Sequence, residues 1–220
     1  MTKANRSILR AVLTGDVVES SRLGREERRS LPSILKRAAR DLRKAFPQAL
    51  LFDLEIFRGD SWQMIISDPA LSLRAGLFFR AGVIAASPPA IRLDTRISIA
   101  VEQVDFVPAG NVSEGDGPAY RASGEALDAL DEQSRMTLGA PGQPASLGVM
   151  ICLLDAIVQE WTARQARIVQ GRLQGWTQAE IAGASSDRIT QQTVGRHLAR
   201  AHWPAVDLAL RHIEDSLRKL

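Results

Sequence analysis

Leu50-Leu51-Phe52-Asp53-Leu54-Glu55-Ile56-Phe57-Arg58-Gly59-Asp60-Ser61-Trp62-Gln63-Met64-Ile65-Ile66 holds two strand-like runs that meet at one Gly-Asp. Phe52, Leu54 and Ile56 alternate with Asp53, Glu55 and Phe57, and Trp62, Met64 and Ile66 alternate with Ser61 and Gln63. Alternation of period two on both sides of a glycine predicts a β-hairpin. Gly59 supplies the positive φ of a tight turn, and Asp60 tolerates turn geometry. Taken alone, Asp60 reads as a turn residue.

A second Gly-Asp changes that reading. Ser7-Ile8-Leu9-Arg10-Ala11-Val12-Leu13-Thr14-Gly15-Asp16 is a short apolar run of the kind expected of a buried strand. If it lies beside the hairpin in one sheet, Asp16 and Asp60 reach the same edge, where two carboxylates repel unless a cation lies between them. Hard oxygen donors suit Mg²⁺ or Mn²⁺ held together with substrate phosphates. The backbone N–H groups that follow, around Ser20 and Ser21, lead into a helix and are placed for phosphate.

The totals are those of an ordinary globular protein: 220 residues, 45% hydrophobic, 24% charged, net charge +3. The mild basic excess permits nucleic-acid binding without arguing for it. The single cysteine, Cys152, lies in an apolar run and is expected as a buried small hydrophobe; it excludes a disulfide within the chain. The longest apolar run, Gly148 to Val158, is short for a bilayer and interrupted by Asp155. Met1 to Arg6 leads into no signal-length apolar stretch, so a cytoplasmic protein is expected.

Along the chain, a helix is expected from Arg25 to Phe46, with Leu31, Leu35, Ala38 and Leu42 as its apolar stripe and a basic outer face. Asp68-Pro69 starts another helix that ends before Ser87-Pro88-Pro89. Ile97, Ile99 and Val101 mark a long strand within Arg92 to Val104. A loop through Glu114-Gly115-Asp116-Gly117-Pro118 opens a helix from Ala119 to Leu130, and Arg135 to Leu138 is a short strand. The order strand, helix, hairpin, helix, strand, helix, strand predicts an α+β sandwich of the ferredoxin-like type over residues 1–140. After the linker Gly139-Ala140-Pro141-Gly142-Gln143-Pro144, residues 145–220 read as a small all-helical domain.

The stretches Thr14 to Ser21, Phe57 to Gln63, Arg96 to Ile99 and Asp116 to Gly124 are similar to those of the SatD-like family of bacterial proteins, and the likeness extends into the helical tail. More distantly, the first half resembles the catalytic domain of class III nucleotidyl cyclases. That resemblance implies a ferredoxin-like core, metal ligation by Asp16 and Asp60, a metal contact from the Val17 carbonyl, and phosphate contacts near Ser20 and Ser21. It also departs from the family. Cyclases have a base-reading Lys four residues before the second Asp, where this chain has Ile56. They have an Asn and an Arg on the helix after the long strand, where Gly117 to Gly124 offers only Arg121. Gly117 and Arg121 are the nucleotide-contacting candidates of that stretch, and Gly-Asp-Gly-Pro before a helix is equally ordinary capping chemistry. Metal and phosphate binding without cyclisation is therefore expected, because phosphoryl transfer depends on positioned charge.

In the tail, Gly175 ends one helix and Thr177 caps the next with Glu180 at capping-box distance. Thr190 caps a further helix with Val194 and Leu198 inward and Gln191, Gln192, Thr193, Arg196, His197 and Arg200 outward. This resembles a helix-turn-helix, with Gln and Arg suited to base edges and the other groups to phosphate. Gly183 to Arg188 makes its turn about two residues longer than the tight form, so either the turn loops out and Ile189 fills the core or DNA binding is lost. Trp161 and Trp176 are expected as core residues.

The expected function is a homodimeric DNA-binding transcriptional regulator whose first half senses a metal-bound nucleotide or similar phosphate ligand. The alternative is a divergent nucleotidyl cyclase or other metal-dependent phosphoryl-transfer enzyme.

Overall fold

A computed structural model of the chain describes residues 8–57, 59–106 and 110–220. Arg58 and residues 1–7, on which the reading of the N-terminus rested, lie outside the described residues.

The apolar run before Gly15-Asp16 forms β1, Ile8–Val17. It leads into α1, Arg25–Ala45, and then the hairpin β2, Glu55–Phe57, and β3, Ser61–Ile66. There follow α2, Ser72–Ala85; β4, Thr95–Val104; α3, Pro118–Asp128; and β5, Met136–Gly139. The tail consists of α4, Ser146–Gln159; α5, Ala163–Leu173; α6, Gln178–Ala184; α7, Gln191–Arg200; and α8, Trp203–Leu217.

The sheet order is β2-β3-β1-β4-β5. β1 is central, antiparallel to β3 and β4, and β5 is parallel to β4. The first four strands with α1 and α2 make the βαββαβ arrangement of an α+β ferredoxin-like sandwich, and α3 brings the chain back so that β5 extends the sheet. β2 is shorter than the alternation suggested. Leu50 makes a single bridge to Ile66, the chain then leaves the ladder, and Phe52 packs on the opposite face, beside Val12 and Ile65.

Side-chain parity sorts the sheet's two faces. Leu13, Val17, Trp62, Met64, Ile97 and Ile99 pack under α1 and α2. The other face carries only the small cluster of Val12, Ile65, Val104, Val112 and Ala119, beneath α3. The large cluster runs on without interruption into the tail, through Leu154 and Val158 of α4, Val169 of α5 and Val206 and Leu210 of α8. α2 is enclosed between the sheet on one side and α5 and α8 on the other, so almost every residue from Ser72 to Ile84 is buried. A helix covered all round has no polar face.

Of its two charges, Arg74 pairs with Glu214 of α8 at 2.5 Å, and Arg80 is fully buried and held by two acids. Nε and Nη2 donate to Asp94 at 2.8 and 3.0 Å, and Nη1 donates to Asp155 at 2.5 Å. Asp155 also accepts the backbone N–H groups of Arg135 and Met136. Burial works against the guanidinium's charge, but the two carboxylates outweigh it and raise Arg80 above its ordinary value.

Two expectations about the tail are corrected. Cys152 is exposed rather than buried, because α4 is apolar on both sides: Leu147, Ile151 and Leu154 face inward, while Val149 and Leu153 stand 61% and 62% exposed. Trp161 is buried, its indole N–H donating to the Ala201 carbonyl, but Trp176 falls in the turn after Gly175, outside any helix, and is 39% exposed. Among the described residues no helix is long and apolar enough to cross a membrane.

Candidate functional site

The end of β1 is fixed from three sides. A Cβ at Gly15 would lie 2.2 Å from the Arg96 carbonyl oxygen and 2.4 Å from the Trp62 ring, so the two neighbouring strands close over that position only if it is glycine. Trp62 Nε1 donates to Thr95 Oγ1 at 2.9 Å, and Thr95 Oγ1 donates to the Asp16 carbonyl at 2.6 Å. The Val17 N–H donates to the Asp60 carbonyl and the Val18 N–H to the Asp94 carbonyl. The chain end is thereby tied to the hairpin turn on one side and to the approach to β4 on the other.

This brings Asp16, Val17, Ser20, Ser21 and Asp60 around one cavity of about 510 Å³. Asp16 lies directly across from Arg96 in the ladder, and the guanidinium grips it in a two-pronged pair, Nε to Oδ1 at 2.8 Å and Nη2 to Oδ2. The hydrogen bonds to Asp16 outweigh partial burial and raise Arg96 above its ordinary value. Asp60 accepts a hydrogen bond from Ser20 Oγ, and among the described residues no Lys or Arg pairs with it. Glu19 opens the Ser20–Arg22 turn at φ 51, in the left-handed region, and pairs with Arg22 at 2.6 Å.

The charges around the cavity do not balance. Asp16, Glu19, Asp60, Asp131 and Glu132 face Arg22, Arg96 and Arg135. Among the described residues, five carboxylates against three guanidiniums leave an excess of two negative charges, which one divalent cation would cancel. The oxygen donors of Asp16, Asp60 and the Val17 carbonyl are of the kind Mg²⁺ or Mn²⁺ takes. Among the described residues no group of three or more His, Cys, Asp or Glu could hold a metal alone. An ion here would share Asp16 with Arg96 and would draw its remaining ligands from water or a phosphate.

Two residues proposed from the sequence are not brought to this cavity. Gly117, at φ 143, packs against the backbone of Gln103 to Asp105, at the opposite end of β4 from Arg96. Eight residues at about 3.3 Å each put roughly 26 Å between those ends. Arg121 is exposed one turn along α3 and pairs with Asp116 at 2.8 Å.

Comparison with known proteins gives one kind of likeness. No protein-family model matches the sequence, and no curated protein matches it. Among solved structures, the chain is similar to the guanylyl cyclase Cya2, at 13% identity and a TM-score of 0.47, covering 62% of this chain and 77% of that one. It is also similar to a bacterial light-regulated adenylyl cyclase, at 14% identity and a TM-score of 0.46, covering 60% and 76%. Likenesses of this degree say nothing of chemistry.

In the tail, Thr177 and Glu180 form the expected capping box, and Thr190 Oγ1 accepts the Thr193 N–H. Gln191, Gln192, Arg196 and Arg200 are exposed on α7, and Ile189 packs against the core. Thr193 and His197 are only half-exposed. Burial, with the charges of Arg164, Arg200 and Arg196, holds His197 below its ordinary range. Sequence reasoning missed Arg96 as the partner of Asp16, and Asp131, Glu132 and Arg135 as part of the same cavity. For Arg96 the signal was present: alternation along β4 puts it on the polar face, and pairing β4 with β1 from their ends puts it opposite Asp16.

Proposed function

We propose that the cavity at Asp16 and Asp60 binds a divalent cation together with the phosphates of a nucleotide, and that the protein is a divergent cyclase-like, metal-dependent nucleotide protein of the phosphoryl-transfer class. The observation that carries this reading is that, among the described residues, the cavity has an excess of two negative charges and Asp60 has no cationic partner. In this reading Asp16, Asp60 and the Val17 carbonyl hold Mg²⁺ or Mn²⁺, which supplies charge neutralisation for the phosphates. Arg22 and Arg135, on the cavity wall, stand as phosphate partners. Arg96 holds the Asp16 carboxylate in one orientation. Binding comes before turnover in this account, since Arg121 lies too far along the sheet to stabilise a transition state in the same cavity. Incubation with each nucleoside triphosphate and Mn²⁺ tests for turnover. Pyrophosphate release that Asp60→Asn abolishes establishes an enzyme; release that survives the substitution removes Asp60 from the reading.

A second reading is supported by the tail. The exposed Gln191, Gln192, Arg196 and Arg200 suit base edges and phosphates, Thr193 and His197 suit backbone contacts, and the inward Ile189 answers the long turn. In this reading the protein is a cytoplasmic, homodimeric, SatD-like regulator whose helix-turn-helix binds DNA under control of the nucleotide site. Gel-shift assays on the genomic region around its own gene test it. A sequence-preferring, salt-sensitive complex weakened by Arg196→Ala supports it, and its absence with and without nucleotide and Mn²⁺ removes it.

A further inference from the structure

The turn between α6 and α7 is longer than a tight helix-helix turn requires, and its extra residues build something. Ser185, Ser186, Asp187 and Ile189, with Ala184 at the end of α6, form one wall of a cavity of about 540 Å³, whose other walls come from α1 and α5. That volume is within the range of small-molecule sites, roughly 300–1,000 Å³. Phe78, Ile168 and Ile181 give it an apolar floor, and the half-open ring of Trp176 stands at its rim.

The turn is held in place against local preference. Arg188 is at φ 48, a left-handed conformation uncommon for a residue with a side chain. Asp187 ties the turn to α5 through Arg164 at 3.0 Å. Such a conformation persists where surrounding contacts over-determine it.

The charges of this cavity point to the ligand. Lys44 is paired with Asp41 at 3.9 Å, and Arg164 with Asp187. Among the described residues Arg167 donates to the Ala85 carbonyl, at 3.2 Å, and no carboxylate pairs with it. Three cations and two acids leave one positive charge beside an apolar floor and an aromatic rim.

We propose that this cavity is a second ligand site, for a small amphipathic monoanion with an aromatic or aliphatic body packed over Ile168 and Ile181 and its carboxylate, sulfonate or phosphate on Arg167. The site shares no lining residue with the Asp16 cavity and stands whether or not that cavity takes a nucleotide. A ligand seated here touches both α1 and the turn that leads into α7.

The test uses the full chain and two fluorescent probes, 1-anilinonaphthalene-8-sulfonate and its uncharged counterpart N-phenyl-1-naphthylamine. Arg167 and Ala184 are exposed, so Arg167→Gln and Ala184→Trp leave the fold intact, which melting curves check. The expected result is one saturable sulfonate site. Arg167→Gln weakens it about fivefold without changing the neutral probe, as loss of one partly exposed charge pair does. Ala184→Trp, which fills the cavity, weakens both probes. Leu153→Ser, on the exposed apolar side of α4, changes neither. No saturable binding, or binding lost in Leu153→Ser and kept in Ala184→Trp, overturns the site. Equal loss of both probes in Arg167→Gln, or loss of neither, overturns the assignment of an anion.

Discussion

Replacing Arg80 by Met tests how the sheet and the tail are joined. Arg80 is fully buried, and the side chains of Asp94 and Asp155 are 7% and 4% exposed. Asp94 belongs to the approach to β4 and receives the Val18 N–H on its carbonyl, beside the candidate site. Asp155 belongs to α4 and anchors the start of β5. Removing the guanidinium leaves Asp155 buried without a cation and Asp94 with only the longer contact to Arg92, at 3.4 Å. Removing one partner from a buried ion pair costs about 3–5 kcal/mol, a large share of the roughly 5–15 kcal/mol that holds a domain together. At about 2–4 °C per kcal/mol for a chain of this size, the melting point falls by roughly 6–20 °C. Most of this loss is uncompensated charge, so the triple variant Arg80→Met/Asp94→Asn/Asp155→Asn, which keeps the oxygen acceptors for the backbone, recovers much of it. Calorimetric melting of the three proteins is the assay. A single variant that melts within about 2 °C of the unaltered protein, or a triple variant no better than the single, refutes the reasoning.

Gly15→Ala forces a methyl into the Arg96 carbonyl and the Trp62 ring; it costs at least about 1–3 kcal/mol in urea denaturation and disturbs the Asp16 cavity, and an unchanged midpoint contradicts this. Tyr120 is the only tyrosine, and burial, helped by the charge of Glu55, pushes it up to about 12. Stability drawn from that shift is present below its ordinary value of 10.0 and is lost as pH rises from there through about 12. Ultraviolet absorbance should show no phenolate near pH 10 while the protein is folded, and a transition centred at 10.0 contradicts the burial. His197 is held below its ordinary 6.5, so stability drawn from its neutral form is present above 6.5 and is lost as pH falls from there through the lowered value in the fold. His197→Gln should therefore lose less stability than the unaltered protein between about pH 7 and pH 5, and parallel pH profiles contradict it.

Much of the fold was legible because its strands announce themselves. Alternation in Trp62, Met64 and Ile66, and the glycine before each aspartate, define β3, the hairpin turn and the end of β1. The layers that hide a helix on all sides were harder. α2 reads as an ordinary apolar helix until α5 and α8 are seen to cover it, and only then does Arg80 become a buried charge that needs Asp94 and Asp155, 14 and 75 residues away. Cys152 and Trp176 were misplaced for the converse reason: an apolar residue type is weak evidence of burial when its helix is apolar on both faces or when it falls in a turn. Gly117 and Arg121 were grouped with Asp16 by motif, while the length of β4 separates them. That length was countable in the sequence, but its consequence depends on β4 running antiparallel to β1.

The central claim, a cation and phosphate site between Asp16 and Asp60, is tested most directly by calorimetric titration of nucleoside triphosphates with Mn²⁺ into the intact protein and into Asp16→Asn/Asp60→Asn. The account predicts metal-dependent binding that the double variant loses while its melting curve remains cooperative. A well-folded protein that takes up neither Mn²⁺ nor nucleotide, or a double variant that binds both as tightly, would contradict it.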